Sequence, residues 1–200
     1  MNEAQKYLVD KARNESKLDQ DLIILTVVAS LLAVFGIKMN NAFIIIGSML
    51  VSPLFDPLIS TIVYITSKDL VGFRKAFRSL FIAISISFLV SFGFWTFLRI
   101  AGQLKDYVII KPDPNIFDVL GVAILMGIVG ALLWLWHRTS NTSAGVAIAI
   151  SLVPPIAYFT AGMTTDNYTL ALQYIIIFVL NLLGIFIGSS LTLLLYTRRR

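Results

Sequence analysis

Two apolar segments, each long enough to lie within a bilayer, are interrupted by prolines: Gly47-Ser-Met-Leu-Val-Ser-Pro-Leu-Phe-Asp-Pro-Leu58 and Gly145-Val-Ala-Ile-Ala-Ile-Ser-Leu-Val-Pro-Pro-Ile156. In hydrocarbon no water satisfies a backbone amide or carbonyl left over by a broken helix, so such breaks survive only where protein or a wet cavity covers them. Paired interruptions in corresponding halves of a chain mark the binding region of many transporters. Pro53, Pro57, Pro154 and Pro155 therefore constrain the fold more than any other residues.

The surroundings place these segments in lipid. The chain is 58% hydrophobic and 14% charged, with mean hydropathy +0.85, whereas soluble domains carry about 25% charged residues. Six spans are expected, each near the length that crosses a bilayer: Leu22 to Ile37, Ala42 to Thr66, Phe77 to Ile100, Val119 to Trp136, Ala144 to Gly162 and Leu170 to Tyr196. The fold class is an all-α membrane protein. Residues 1–21 read as a helical, amphipathic and charged cytoplasmic segment, 101–118 as an extracytoplasmic loop and 198–200 as a basic tail. Trp95, Trp134, Trp136 and Tyr196 lie near predicted span ends, where interfacial aromatics collect.

Of the 16 Lys and Arg residues, 12 fall on one side if every segment crosses, including Lys11, Arg74, Lys75 and Arg138. Basic residues mark the cytoplasmic side, so both termini are expected in the cytoplasm of a cell inner or plasma membrane.

Gly47 and Gly145 are 98 residues apart, and the same offset carries Leu54 onto Leu152 and Pro57 onto Pro155. It also carries span one onto span four and span three onto span six. The expected architecture is two three-span units, 22–100 and 119–197, with helices 2 and 5 proline-broken. Because three is odd, the second unit is inverted relative to the first.

The strings Ile46-Gly-Ser-Met-Leu-Val-Ser-Pro-Leu54 with Pro57, Gly145 to Ala157 with its double proline, and Asn181-Leu-Leu183 resemble the hydrophobic membrane family known as domain of unknown function 389. The resemblance runs from about Leu22 to Leu195 and implies an architecture but no activity. Where that family's pattern commonly has glycine this chain has Asp56, so the resemblance implies no shared role for that carboxylate.

The site residues follow from the breaks. Proline lacks an amide hydrogen and clashes with the carbonyl one turn back, freeing acceptors near Met49 and Leu50 in the first segment and Ile150 and Ser151 in the second. Gly47 and Gly145 allow close backbone approach. Ser48, Ser52 and Ser151 add hydroxyls, and with Asp56 the set Ser52, Asp56 and Ser151 suits Na⁺. Conversely, each half-helix that starts after a break offers a positive dipole end to an anion. Asp56 is the one acid deep in an apolar span, where a charge costs roughly 2.5–3.5 kcal/mol at the bilayer centre. It is either a ligand or proton carrier, or wet at an interface. Asn181 is a partner for freed carbonyls. Gly184-Ile-Phe-Ile-Gly188 permits close helix packing, more simply within the chain than between subunits, and Ser85, Ser87 and Ser91 are expected to bond their own helix. His137 reads as an interfacial histidine.

No enzyme is expected, because zinc-protease, nucleophile-elbow and nucleotide-loop motifs are missing. No cofactor and no nucleic-acid partner are expected either. The function expected is a transporter or channel for a small solute or inorganic ion, in contact with membrane lipids and as a homo-oligomer. The alternative is a non-transporting membrane scaffold or regulatory subunit with its breaks packed dry.

Overall fold

The computed structural model describes residues 3–104, 115–135 and 152–199. It is all-helical: α1 Glu3–Glu15, α2 Gln20–Lys38, α3 Ala42–Val51, α4 Phe55–Thr66, α5 Leu70–Ile100, α6 Ile116–Leu135, α7 Val153–Thr164 and α8 Tyr168–Arg199. Four of these, α2, α5, α6 and α8, are long and apolar enough to cross a membrane. The pair α3 and α4, bent by 47° at its break, makes a fifth crossing if it is one span. This is a multi-pass membrane protein.

Short polar side chains set most helix starts. Side-chain oxygens of Asp19, Asn41, Asp69, Asn115 and Asn167 accept backbone N–H groups at the starts of α2, α3, α5, α6 and α8, satisfying donors that a helix leaves unpaired. The helices α4 and α7, which start at the prolines, have no side-chain cap.

Several expected boundaries move. The third span begins at Leu70, seven residues before Phe77, because Asp69 caps it there and Arg74, Lys75 and Arg78 point outward; charge on an exposed face does not end a helix. Of the expected fifth span, residues 144–151 lie outside the described residues. Its remainder, α7, has 12 residues, about 18 Å at 1.5 Å per residue, too short to cross alone.

Hydrogen bonds order the bundle. Ser79 Oγ donates to the Ser16 carbonyl at 2.8 Å, and Lys38 Nζ donates to Gln103 Oε1 at 2.5 Å. The starts of α2 and α5 therefore share one end of the bundle and their finishes the other, so α3 and α4 carry the chain back between them. Arg99 bonds the Thr164 carbonyl at 2.7 Å and pairs with Asp166 at 2.6 Å, while Trp95 donates to the Ala157 carbonyl at 3.0 Å. Hence α7 runs parallel to α5, and α8 returns antiparallel.

The spacing of 98 recurs in the helix bounds. Adding it to Phe55–Thr66 gives Val153–Thr164, and adding it to Leu70 gives Tyr168. The connecting turns match as well. Lys68 and Asp166 both adopt φ 57°, and the next amides, Asp69 and Asn167, bond Tyr64 and Gly162 carbonyls at 3.0 and 2.9 Å. This is the left-handed closing turn of a helix C-terminus, which Asn40 and Gly102 also make; of the two related by 98 residues, Lys68 precedes the start of α5 and Asp166 lies beside its finish.

Small residues bring α6 and α8 together. A Cβ at Gly188 would stand 2.2 Å from the Ile124 carbonyl, and one at Gly184 would stand 2.4 Å from the Ala123 Cβ. Ser189 Oγ donates across this seam to the Gly127 carbonyl at 2.9 Å. The glycine pair thus serves packing inside the chain.

Candidate functional site at the helix breaks

Of the residues expected at the first break, Ser52 closes α3 in an extended conformation, with its amide on the Met49 carbonyl at 3.3 Å. One of the carbonyls expected to be freed is therefore taken by a tighter turn. Ser48 is fully buried and donates to the Ile45 carbonyl at 2.7 Å, so its hydroxyl serves its own helix. Gly47 does not make the expected close approach, since a Cβ there meets nothing within 4 Å. Pro53 is half-buried, and Pro57 is buried in the first turn of α4, where its carbonyl accepts from Thr61 Oγ1 at 2.7 Å.

Pro154 and Pro155 lie in the first turn of α7, and the half-helix expected before them falls on residues outside the described ones. A first-turn proline removes an amide that has no helical partner anyway. This lets the helix begin inside an apolar cluster: Leu152 and Val153 are completely buried there, together with Leu54, Leu58, Ile156, Ala157 and Trp95. Residues from both breaks thus share one cluster, and what closes it is apolar. Gly145 and Ser151 lie outside the described residues, as does His137.

Hydroxyls enter this cluster from α2 and α5. Ser30 donates to Ser87 at 3.0 Å, both fully buried. Of Ser85, Ser87 and Ser91, Ser85 bonds its own helix as expected, at the Phe81 carbonyl and 2.8 Å, while Ser91 Oγ is buried without a hydrogen-bond partner among the described residues. Trp95 is no interfacial aromatic either, being fully buried with its indole N–H on Ala157. Its ring fills the space between α5 and α7. Asn181 is half-buried midway along α8. Among the described residues no group of three or more His, Cys, Asp and Glu could hold a metal ion.

The family model for the domain of unknown function DUF389 matches residues 49–187, which include α4 to α7 and most of α8. The chain belongs to the DUF389 family. It is 24% identical over 186 residues to an uncharacterized protein, MJ0678, of Methanocaldococcus jannaschii. That match covers 90% of this chain and 56% of the relative, so the DUF389 chain described here spans little more than half the relative's length. No solved structure matches it.

What the sequence reading of this DUF389 chain did not place is the packing of α1. Residues 1–21 were expected to be a helical, amphipathic and charged segment, with no contact assigned to its apolar face. In the fold Leu8, Val9 and Ala12 are buried against Ile59, Ile62, Val63 and Tyr64 of α4. Lys11 lies over the Trp134 ring at 4.2 Å, bonds the Trp134 carbonyl and stands 3.9 Å from Glu15. Trp134 in turn donates its indole N–H to Glu15. Burial lowers the pKa of Lys11, against the opposing charges of Glu15 and Asp56. Burial also raises the pKa of Glu15, against Lys11 and the Trp134 hydrogen bond. Asp56, half-buried in the first turn of α4, thus lies within the electrostatic reach of Lys11. The signal was present: Leu8, Val9 and Ala12 make an apolar stripe at helical spacing.

Proposed function

We propose that this DUF389 protein moves a small solute or inorganic ion across a cell inner or plasma membrane. In this reading it has six spans in two inverted three-span units, and the path runs between the helix starts of α4 and α7. The observation that carries the reading is the pairing of those starts. Both lack a side-chain cap, both have proline in the first turn, they lie 98 residues apart, and residues at each belong to one buried cluster. Inversion is supported by the matching φ 57° turns at opposite ends of α5. Cytoplasmic termini are supported by the Lys and Arg distribution. In a rocking mechanism each unit is one arm, and the apolar closure around Leu54 and Leu152 is the shut state.

Reconstitution tests this. Purified protein in proteoliposomes should pass at least one small solute or ion down a gradient, at a rate that falls in Ser52→Ala and Asp56→Asn. Folded protein that passes none of a broad panel contradicts the reading.

The apolar closure favours a second reading, in which the breaks are packed dry and the protein is a scaffold or regulatory subunit. That protein would be folded and show no flux under any solute or ion gradient.

A further inference from the structure

We propose that the start of α5 holds the headgroup of an anionic phospholipid, with Arg74, Lys75 and Arg78 as its partners and the lipid-facing strip beyond them as the bed of its acyl chains. This goes beyond the transport reading and rests only on the chain being a multi-pass membrane protein.

Two contacts mark where the bilayer lies along α5. At one end Ser79 Oγ reaches the Ser16 carbonyl, close in sequence to Asp19 and Asp21 at the polar start of α2. At the other, Arg99 pairs with Asp166. The stretch of helix from Ser79 to Arg99 rises about 30 Å, the thickness of the hydrocarbon core. Because α5 has 31 residues and begins at Leu70, its first turns extend past that core into the headgroup layer.

Only one face of those turns is free. Gly72, Ala76 and Ser79 are buried, and the Gly72 backbone lies so close to the Tyr64 ring that a Cβ there would stand 2.1 Å away. Arg74, Lys75 and Arg78 occupy the other face and are exposed. With 3.6 residues per turn, Phe81 and Leu89 continue that face into the hydrocarbon, where they are 62% and 64% exposed. A band of cations thus leads directly onto an apolar strip.

The charges are uncommitted. Among the described residues the ion pairs are Lys11 with Glu15, Arg13 with Asp10 and Arg99 with Asp166, so none involves these three. No acid stands on α5, and the Asp69 carboxylate before it caps the Val71 and Gly72 amides. Arg74 and Arg78 are four residues apart, hence one above the other on the helix surface, and guanidinium groups bond phosphate oxygens in pairs. Orientation in the membrane needs only that cations lie on this side. It does not need three of them within little more than one turn of an exposed face, above a strip that acyl chains can cover. A lipid with net negative charge matches both parts, whereas a zwitterionic one brings its own ammonium to the phosphate.

Thermal melting of the delipidated full chain in neutral detergent tests this, with phosphatidylglycerol or phosphatidylcholine of identical chains added, or water-soluble glycerol 3-phosphate. Phosphatidylglycerol should raise the melting temperature more than phosphatidylcholine does, and glycerol 3-phosphate should not replace it. Apparent affinity for phosphatidylglycerol should weaken about fivefold per cation removed, so that the triple variant Arg74→Gln, Lys75→Gln, Arg78→Gln treats the two lipids alike. The double variant Arg74→Lys, Arg78→Lys keeps the charge and should stay within about threefold of wild type. Equal stabilisation of the wild type by the two lipids overturns the proposal, and stabilisation by glycerol 3-phosphate equal to that by phosphatidylglycerol overturns the lipid as its occupant. A triple variant that keeps the wild-type preference overturns the assignment of these three residues. None of these results bears on whether the protein transports a solute.

Discussion

Trp95 of α5 donates its indole N–H to the carbonyl of Ala157 in α7 at 3.0 Å, with its side chain fully buried. This joins the long helix of the first half of the chain to the proline-started helix of the second. Trp95→Phe removes the hydrogen bond and part of the ring, and should cost about 1–2 kcal/mol. Thermal unfolding in detergent measures it. Phe97→Leu, at a position 61% exposed, is the lipid-facing control and should change little.

Gly188→Ala should destabilise by about 1–3 kcal/mol, because the added methyl meets the Ile124 carbonyl and must part α6 from α8. Gly47→Ala meets nothing and should stabilise α3 by up to about 1 kcal/mol through helix propensity. Melting temperatures of the two variants should move in opposite directions.

The docking of α1 should depend on pH through Glu15. Its folded pKa is raised by burial. The protonated form is therefore the favoured one in the fold, and this contribution is complete below the ordinary glutamate value and is lost as pH rises through the raised one. Glu15→Gln keeps an acceptor for Trp134 and removes the charge. It should melt above wild type at neutral pH, and the gap should close as pH falls toward the ordinary glutamate range. A gap that is constant with pH would show that Glu15 does not titrate in docking.

Lys68 holds φ 57°, a region in which glycine carries no Cβ penalty. Lys68→Gly should therefore stabilise by about 0.5–1 kcal/mol. Asp166 has the same φ but also pairs with Arg99 at 2.6 Å. In Asp166→Gly the relief should be offset by loss of that exposed pair, which is itself worth about 0–1 kcal/mol. Chemical or thermal unfolding of the two variants distinguishes them.

The membrane class, the place of the first break and the spacing of 98 residues were legible because they rest on hydrophobic runs and proline chemistry, both local. Which face of a span looks inward was not. A membrane helix is apolar toward lipid and toward protein alike, so periodicity is silent, and Trp95, Ser87 and Ser91 were assigned to surfaces or to their own helix. The burial of α1 was written in Leu8, Val9 and Ala12, but its charges spoke for solvent; Lys11 and Glu15 are instead accommodated by Trp134 and each other.

The central claim is that the region between the starts of α4 and α7 becomes a watery path through the membrane. The chain contains no cysteine, so single thiols can be introduced without background. Labelling of Ser52→Cys and Ser91→Cys in proteoliposomes by a membrane-impermeant, water-soluble thiol reagent is the direct measurement, with Met39→Cys as the exposed reference. The account predicts that both central thiols react, more slowly than the reference, and that the transported solute slows them further. Central thiols that stay inert from either side, while the reference reacts fully, would contradict it.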